Sequence, residues 1–180
     1  MISKRMESAL NEQINKEMFS AFLYMSMSAD CADKGLKGSS VWFMTQYHEE
    51  MVHAMKIYEY IQKQGAKVRL VALEEPQQEF ASLSDMFDKT LEHEKLVTSS
   101  INDLMNLAVE ERDHATQAFL NWYVTEQVEE EDTAMDIIQR IKLIGDNSSG
   151  LYMLDKELGA RTVSVPTDFS TGVESAMGGE

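Results

Sequence analysis

Four carboxylates, one imidazole and one amide stand at positions where the helical periodicity of this sequence otherwise calls for apolar residues. Such side chains can bind metal ions. They are Glu17, Glu50, His53, Glu94, Gln127 and Glu130. Glu is almost never fully buried without a partner, so four at core positions would each cost several kcal/mol or be driven to protonate. A bound divalent cation removes the conflict because it supplies positive charge. Carboxylates with one imidazole and no thiolate favour iron or manganese over zinc.

The spacing of Glu50 and His53 supports a metal site. The two residues are three positions apart, so on a helix both project from one face and can chelate one ion. If one carboxylate is shared between two metals, four Glu and one His suffice for two ions. A two-metal site open to O2 can divide the electron demand of an oxidation between its ions.

The helices that must position these residues show a stripe of apolar residues spaced alternately by three and four positions. Four long helices are predicted, over about 3–33, from the capping cluster at 38–40 to 65, from 82 or 84 to about 111, and from about 113 to 145. A shorter fifth helix follows 146–149 and ends at Gly159. Each interruption falls near the middle of its helix, so the interruptions are expected to meet at one level of a helix bundle.

The connections between the helices indicate the topology. Tight turns join helix one to two and helix three to four, which makes each pair antiparallel, whereas the link 66–81 is longer. A helix of about 27 residues is about 40 Å long, and an extended link of about 16 residues reaches over about 50 Å. The link can therefore run the length of the bundle and make helices two and three parallel. The prediction is an all-α, ferritin-like four-helix bundle with one long crossover and a short fifth C-terminal helix.

Composition limits the partners. The 180 residues contain 31 acidic and 16 basic side chains, a net charge of -15, which argues against nucleic acid and anionic membranes as partners. No apolar run approaches the length of a spanning helix, and no secretory signal is evident. The single cysteine, Cys31, cannot form an internal disulfide. We therefore expect a cytoplasmic protein.

At this point the chain resembles the ferritins, and the non-haem prokaryotic branch in particular. The resemblance covers residues 1 to about 161. It rests on Glu17 in helix one, the run Y-H-E-E-M-V-H at 47–53, Glu94 in helix three and the run E-Q-V-E-E at 126–130. It implies an iron storage protein that oxidises Fe(II) with O2 or H2O2 at a di-iron centre and deposits ferric mineral in a hollow shell of twenty-four subunits.

The resemblance also implies roles for individual residues. Glu17, Glu50 and His53 would bind the first iron, with Glu50 as the bridge, and Glu94 and Glu130 would bind the second. Gln127 would hydrogen-bond within the site, and Tyr24 would hydrogen-bond to a ligand or donate an electron. A third iron site would use these carboxylates, sharing Glu130: Glu49, Glu126 and Glu129. A solvated acidic face is the alternative interpretation of this trio.

Several features depart from neighbouring families. Bacterioferritins and rubrerythrins have a second E-x-x-H on helix four, where this chain has Gln127 and Glu130. Met51 stands at the place of the haem-ligating methionine of bacterioferritins, but packing is the favoured role and no haem is expected. The predicted domain spans 1–161, and 162–180 is predicted to be a polar, unpacked C-terminal tail.

Two other functions stay open from the residues alone. A di-iron oxidase or peroxidase that turns over without storing iron would be a dimer or small oligomer and would form no mineral. A non-catalytic cage with a structural metal centre would bind metal without consuming O2. The short fifth helix and the surplus acidic residues favour storage.

Overall fold

The fold is built from five predicted helices, and all five are present. The computed structural model describes residues 1–173, and within them the helices are α1 Lys4–Asp33, α2 Lys37–Lys63, α3 Leu83–Glu110, α4 His114–Ile144 and α5 Ser148–Leu158. The helix α1 packs on α2, α3 packs on α4, and α1 also contacts α3, while α5 lies against α2 and α4. This is the predicted four-helix bundle with a short fifth helix.

Most helix starts follow the expected capping chemistry. The side chains of Ser3, Ser82 and Asp113 accept hydrogen bonds from backbone N–H groups three residues ahead, at 3.0–3.1 Å. Each bond satisfies one of the N–H groups that a helix start leaves without a partner. Asn147 does the same for α5 by accepting from Ser149 and Gly150.

The start of α2 differs from the prediction. This helix begins at Lys37 with Leu36 as its N-cap and no side-chain cap of its own, so the expected capping cluster 38–40 lies inside the first turn. The reason is a distant carboxylate: Asp155 of α5 accepts from the N–H groups of Gly38 at 3.0 Å and Ser39 at 2.8 Å. A cap from another element cannot be read from local spacing.

The crossover from α2 to α3 runs along α1. The side chain of Asn11 donates to the carbonyl of Lys67 at 3.0 Å, and the Ser26 hydroxyl donates to the carbonyl of Gln77 at 2.7 Å. The advance from residue 11 to residue 26 corresponds to about 22 Å along a helix. The link therefore travels lengthwise over the bundle, as its length predicted, and makes α2 and α3 parallel.

The apolar core has two parts, one at each end of the bundle. One cluster is rich in aromatic and sulfur side chains, including Tyr24, Phe43, Phe87, Met27 and Met86. The other is mostly aliphatic; its members include Leu10, Ile14, Ile57, Ile61, Ile101 and Leu104. The predicted interruptions of the stripes occupy the level between the two clusters.

Two glycines allow α5 to approach α2 closely. A Cβ atom built on Gly38 would stand 1.6 Å from the carbonyl oxygen of Asp155, and one built on Gly159 would stand 2.8 Å from the Cα of Gly38. No side chain fits in this crossing, so the backbone after α5 is held against the first turn of α2.

The segment after α5 returns to α2. It has no regular structure from 161 to 169, yet Val173 is fully buried and its N–H donates to the carboxylate of Glu59 on α2. The sequence predicts an unpacked tail, whereas the structure buries Val173. This burial removes apolar surface from water, which offsets part of the conformational-entropy cost of ordering the segment. The rest of the predicted tail, 174–180, lies outside the described residues.

Within residues 1–173, none of the helices is both long enough and apolar enough to span a membrane.

Candidate metal centre

The centre of the site is a compact group on two adjacent helices. Glu17 of α1 and Glu50 and His53 of α2 each offer one ligand atom, and these atoms all lie within 4.8 Å of one another. The three side chains are almost completely buried, with exposures of 1%, 1% and 3%. Glu50 and His53 project from one helical face, as their spacing predicted.

Three atoms in this group have no hydrogen-bond partner among residues 1–173: Glu17 Oε2, Glu50 Oε2 and His53 Nδ1. His53 Nδ1 and Glu50 Oε2 are 3.5 Å apart, too far for a good hydrogen bond. A buried polar atom without a partner costs about 1–3 kcal/mol, and more when it is charged. Two carboxylate oxygens and an imidazole nitrogen are donors that a divalent metal ion accepts, so these residues fit a metal ion well.

Glu94 of α3 is held by two neighbours in the same layer. Tyr24 donates its hydroxyl proton to Glu94 Oε1, and the amide of Gln127 donates to Glu94 Oε2 at 3.1 Å. Gln127 also donates to the hydroxyl of Thr98 at 3.3 Å. A carboxylate has about four lone-pair sites, so Glu94 keeps the capacity to bind a metal ion while these bonds fix its orientation.

Glu130 of α4 lies at the edge of the layer and is half-buried. Its Oε2 accepts a hydrogen bond from the buried amide of Gln46 at 2.8 Å. Glu94 and Glu130 do not belong to the compact group around Glu50, but both feel the charge of His53. The structure thus brings all the predicted mid-helix residues to one level, with Glu94 and Glu130 on the side of α3 and α4.

The carboxylates of this layer are hard to ionise without a metal. Burial, and then the charge of Glu50, raise the pKa of Glu17 to about 8. Burial and the charge of Glu94 raise the pKa of Glu130 to about 7, against the opposing effect of the Gln46 hydrogen bond. The pKa of Glu50 lies well above its ordinary range, because it is buried beside Glu94 and Glu130. Raised pKa values of this kind are typical of a site in which a bound cation stabilises the ionised carboxylates.

The tyrosine beside the centre stays protonated. Burial, and then the charge of Glu94, raise the pKa of Tyr24 well above its ordinary value of 10.0. Its hydroxyl is therefore a hydrogen-bond donor at neutral pH, which agrees with the bond to Glu94. His93, one residue from Glu94, faces elsewhere: its Nε2 lies 2.7 Å from the Ser20 hydroxyl.

Sequence reasoning missed several supporting residues. Gln13, one turn before Glu17, donates to Glu17 Oε1 at 2.8 Å and is itself held by the hydroxyl of Ser100. Tyr123 donates to the backbone carbonyl of His53 at 2.7 Å, which anchors the turn that positions the imidazole. Gln13 could have been found as an amide one helical turn from a stripe carboxylate. Tyr123 could not, because its partner is a backbone atom on another helix.

The additional carboxylates have a different environment. Glu126 is half-buried and Glu129 is exposed, and Glu126 feels the charges of Glu129 and Glu49. Glu49 itself forms a salt bridge with Arg161, whose Nη2 lies 2.5 Å from Glu49 Oε2. The sequence did not single out Arg161, because it lies more than a hundred positions from its partner.

Known proteins share this architecture. The ferritin-like domain family matches residues 7–144. A bacterial non-heme ferritin of Campylobacter jejuni is 44% identical over 156 residues, which cover 87% of this chain and 93% of the relative. One from Staphylococcus aureus is 41% identical over 162 residues, covering 90% and 98%.

A solved ferritin structure is also similar to this chain in fold and in sequence. An open-pore ferritin from the hyperthermophilic archaeon Archaeoglobus fulgidus is 46% identical, with a TM-score of 0.89, and the match covers 90% of this chain and 100% of that one. The family match extends over most of the chain and includes four of the five helices. Together with the buried carboxylate layer, it shows that the chain belongs to the ferritin family.

Proposed function

We propose that this chain is the subunit of an iron-storage ferroxidase, which oxidises Fe(II) in the core of the bundle and deposits ferric product inside a hollow shell. The observation that supports this most directly is the set of three buried atoms without partners: Glu17 Oε2, Glu50 Oε2 and His53 Nδ1. A stable fold does not leave such atoms facing one another unless a ligand meets them, and their chemistry suits Fe(II).

The ligands divide between two metal positions. Glu17, Glu50 and His53 would hold the first Fe(II), and Glu50 would be shared with the second position, where Glu94 and Glu130 would complete the set. Support for the second position comes from the raised pKa values of Glu94 and Glu130, since both carboxylates share one charged layer with Glu50. Two adjacent Fe(II) ions can each give one electron to the same oxidant, O2 or H2O2.

The surrounding residues hold this arrangement. Tyr24 and Gln127 fix the two oxygens of Glu94, Gln46 fixes Glu130, and Gln13 fixes Glu17. Such outer hydrogen bonds set the orientation of metal ligands and commonly change metal affinity about 10–100-fold. We propose that Tyr24, which is buried against Glu94, also gives an electron to the centre.

A third metal position lies beside the second. The carboxylates of Glu49, Glu126 and Glu129 would share it with Glu130, and the charge effects of Glu129 and Glu49 on Glu126 support their proximity. The partial exposure of Glu126 and the exposure of Glu129 put this position at the edge of the bundle.

Storage requires a closed shell, and we propose twenty-four subunits in the cytoplasm. Apolar side chains of the crossover lie exposed on the isolated subunit, among them Leu70 at 62% and Val71 at 66%. Exposed apolar groups of this kind are suited to contacts between copies. The exposed Tyr152 and Met153 give α5 a similar surface.

Anaerobic Fe(II) titration followed by exposure to O2, with absorbance and particle size read on one sample, tests this function. We expect rapid oxidation that saturates near two Fe(II) per subunit and then slower growth of mineral within a large particle. Oxidation without a large particle would indicate a non-storing di-iron oxidase or peroxidase. Binding of Fe(II) without oxidation would leave only a metal-binding scaffold.

Replacement of Glu130 by Ala tests the second metal position. The loss of one carboxylate should slow rapid Fe(II) oxidation about 10–100-fold, while the half-buried position leaves helix content and particle size unchanged. Stopped-flow absorbance measures the initial rate. Asp132→Ala is the matched control, since Asp132 is an exposed carboxylate two residues along the same helix. An initial rate equal to that of the control would remove Glu130 from the site.

A further inference from the structure

The guanidinium of Arg161 contacts two side chains of the site edge at once. Its Nη2 lies 2.5 Å from Glu49 Oε2, and its Nη1 donates to Gln46 Oε1. The guanidinium also lies over the ring of Trp42, with its carbon 5.0 Å from the ring centroid. This fork geometry, which lysine cannot reproduce, holds both acceptors in one plane.

The contact with Gln46 determines which way that amide points. A guanidinium has donors only, so the oxygen of Gln46 must face Arg161 and its nitrogen must face away. On that far side, Gln46 Nε2 donates to Glu130 Oε2 at 2.8 Å. Loss of Arg161 removes the donor that anchors the Gln46 oxygen, so the amide gains freedom to rotate and its bond to Glu130 weakens. Arg161 therefore acts on Glu130 through one intervening residue.

The contact with Glu49 has the opposite consequence for metal binding. Glu49 has 14% of its side chain exposed and Arg161 27%, so water screens this ion pair only in part. The guanidinium offsets the negative charge of Glu49 and occupies one of its lone pairs, so Glu49 attracts a metal ion less strongly while this pair persists. The pair thus competes with a third ion for Glu49.

We propose that Arg161 is a positioning residue of the iron site that orients Glu130 for the second metal position and withholds Glu49 from the third. The inference rests on the proposed function, which supplies the three positions. Arg161 follows the close crossing of Gly159 over Gly38 by two residues. Because Arg161 weakens the attraction of Glu49 for a third ion, the arginine favours filling of the two-metal centre before the outer position.

Anaerobic titration of the assembled protein with Co²⁺, followed by visible absorption and calorimetry, tests this role without any oxidation. Arg161→Met keeps an apolar side chain on Trp42 and removes every donor. We expect about tenfold tighter binding of the third Co²⁺ and about tenfold weaker binding of the second, the size of one charge-assisted hydrogen bond. Arg161→Lys keeps the charge beside Glu49 but not the fork, so only the second ion should weaken.

Two further variants serve as controls. Arg140→Met removes an arginine that pairs with Asp136 and Glu157 instead, and it should leave all three affinities at their wild-type values. In a Glu49→Gln background, Arg161→Met should no longer strengthen the third ion. If Arg161→Met does not assemble, Arg161→Lys decides, because an unchanged second affinity in that variant overturns the proposal.

The outcomes separate this proposal from the proposed function. Equal third-ion affinities in Arg161→Met and Arg140→Met would overturn the role of Arg161 while leaving the two-metal centre intact, as would binding of two ions and no third in both proteins. Failure of the wild-type protein to bind Co²⁺ at all would instead overturn the proposed function.

Discussion

Glu50→Gln is expected to lower the initial rate of Fe(II) oxidation by at least about 10²-fold, since even outer-sphere partners of metal ligands cost about 10–100-fold. The substitution keeps the size and shape of the side chain and removes its charge. Glu50 belongs to the compact group with Glu17 and His53, and its Oε2 has no other partner. Proposed as the bridge, Glu50 serves both metal positions, so its loss should exceed the effect of any ligand that serves one.

The measurement is stopped-flow absorbance of the ferric product after mixing Fe(II)-loaded protein with O2. Glu92→Gln provides the control, because Glu92 is an exposed carboxylate beside the layer on α3. Particle size and circular dichroism should match the wild type. A Glu50→Gln rate within a factor of about two of the control would mean that oxidation takes place elsewhere.

The second large effect concerns stability and pH. The metal-free protein should become easier to unfold as pH rises from about 5 to 8, which is opposite to the usual behaviour of carboxylates. The pKa of Glu17 is about 8 in the folded protein and 4.5 ordinarily, so between these values the folded state binds more protons than the unfolded state. Stability is then lost as pH rises, by about 2–5 kcal/mol for a carboxylate this strongly shifted.

Divalent metal should reverse this trend. Metal requires deprotonated ligands, so its affinity and its stabilising effect grow as pH rises through the pKa values of Glu17 and Glu130. Thermal unfolding at fixed protein concentration, with chelator or with Zn²⁺, measures both slopes. Glu17→Gln should flatten the metal-free slope. A metal-free protein whose stability is constant or rises over this range, or an unchanged slope in Glu17→Gln, would contradict the assignment.

The fold could be predicted from the sequence because the patterns that indicate its helices are local and recur in each helix. Stripes spaced by three and four residues predict the helices, and the length of the link 66–81 predicts a crossover along the bundle. Serine and aspartate at the starts of α1, α3 and α4 mark their first turns. The predicted start of α2 was wrong because the carboxylate that caps this helix, Asp155, lies on α5.

The buried residues of the site could also be predicted from the sequence, since a charged residue within an apolar helical stripe is easily recognised. Glu17, Glu50, His53 and Glu94 lie within the buried layer where the stripes placed them. The residues that hold them were less visible. Gln46 and Tyr123 resemble ordinary stripe positions, and Arg161 follows the last helix, so their roles depend on contacts between distant segments.

The division of the apolar core into two clusters bears on how such a chain can change over time. The buried carboxylate layer separates an aromatic and sulfur-rich end, around Phe43 and Met86, from an aliphatic end, around Ile14 and Ile57. The two clusters have no member in common among residues 1–173, and substitutions at sites without shared partners usually add in their effects on stability. Each end can therefore be repacked, by drift or by design, without compensating changes at the other. Substitutions at either end must leave the geometry of the carboxylate layer between them unchanged.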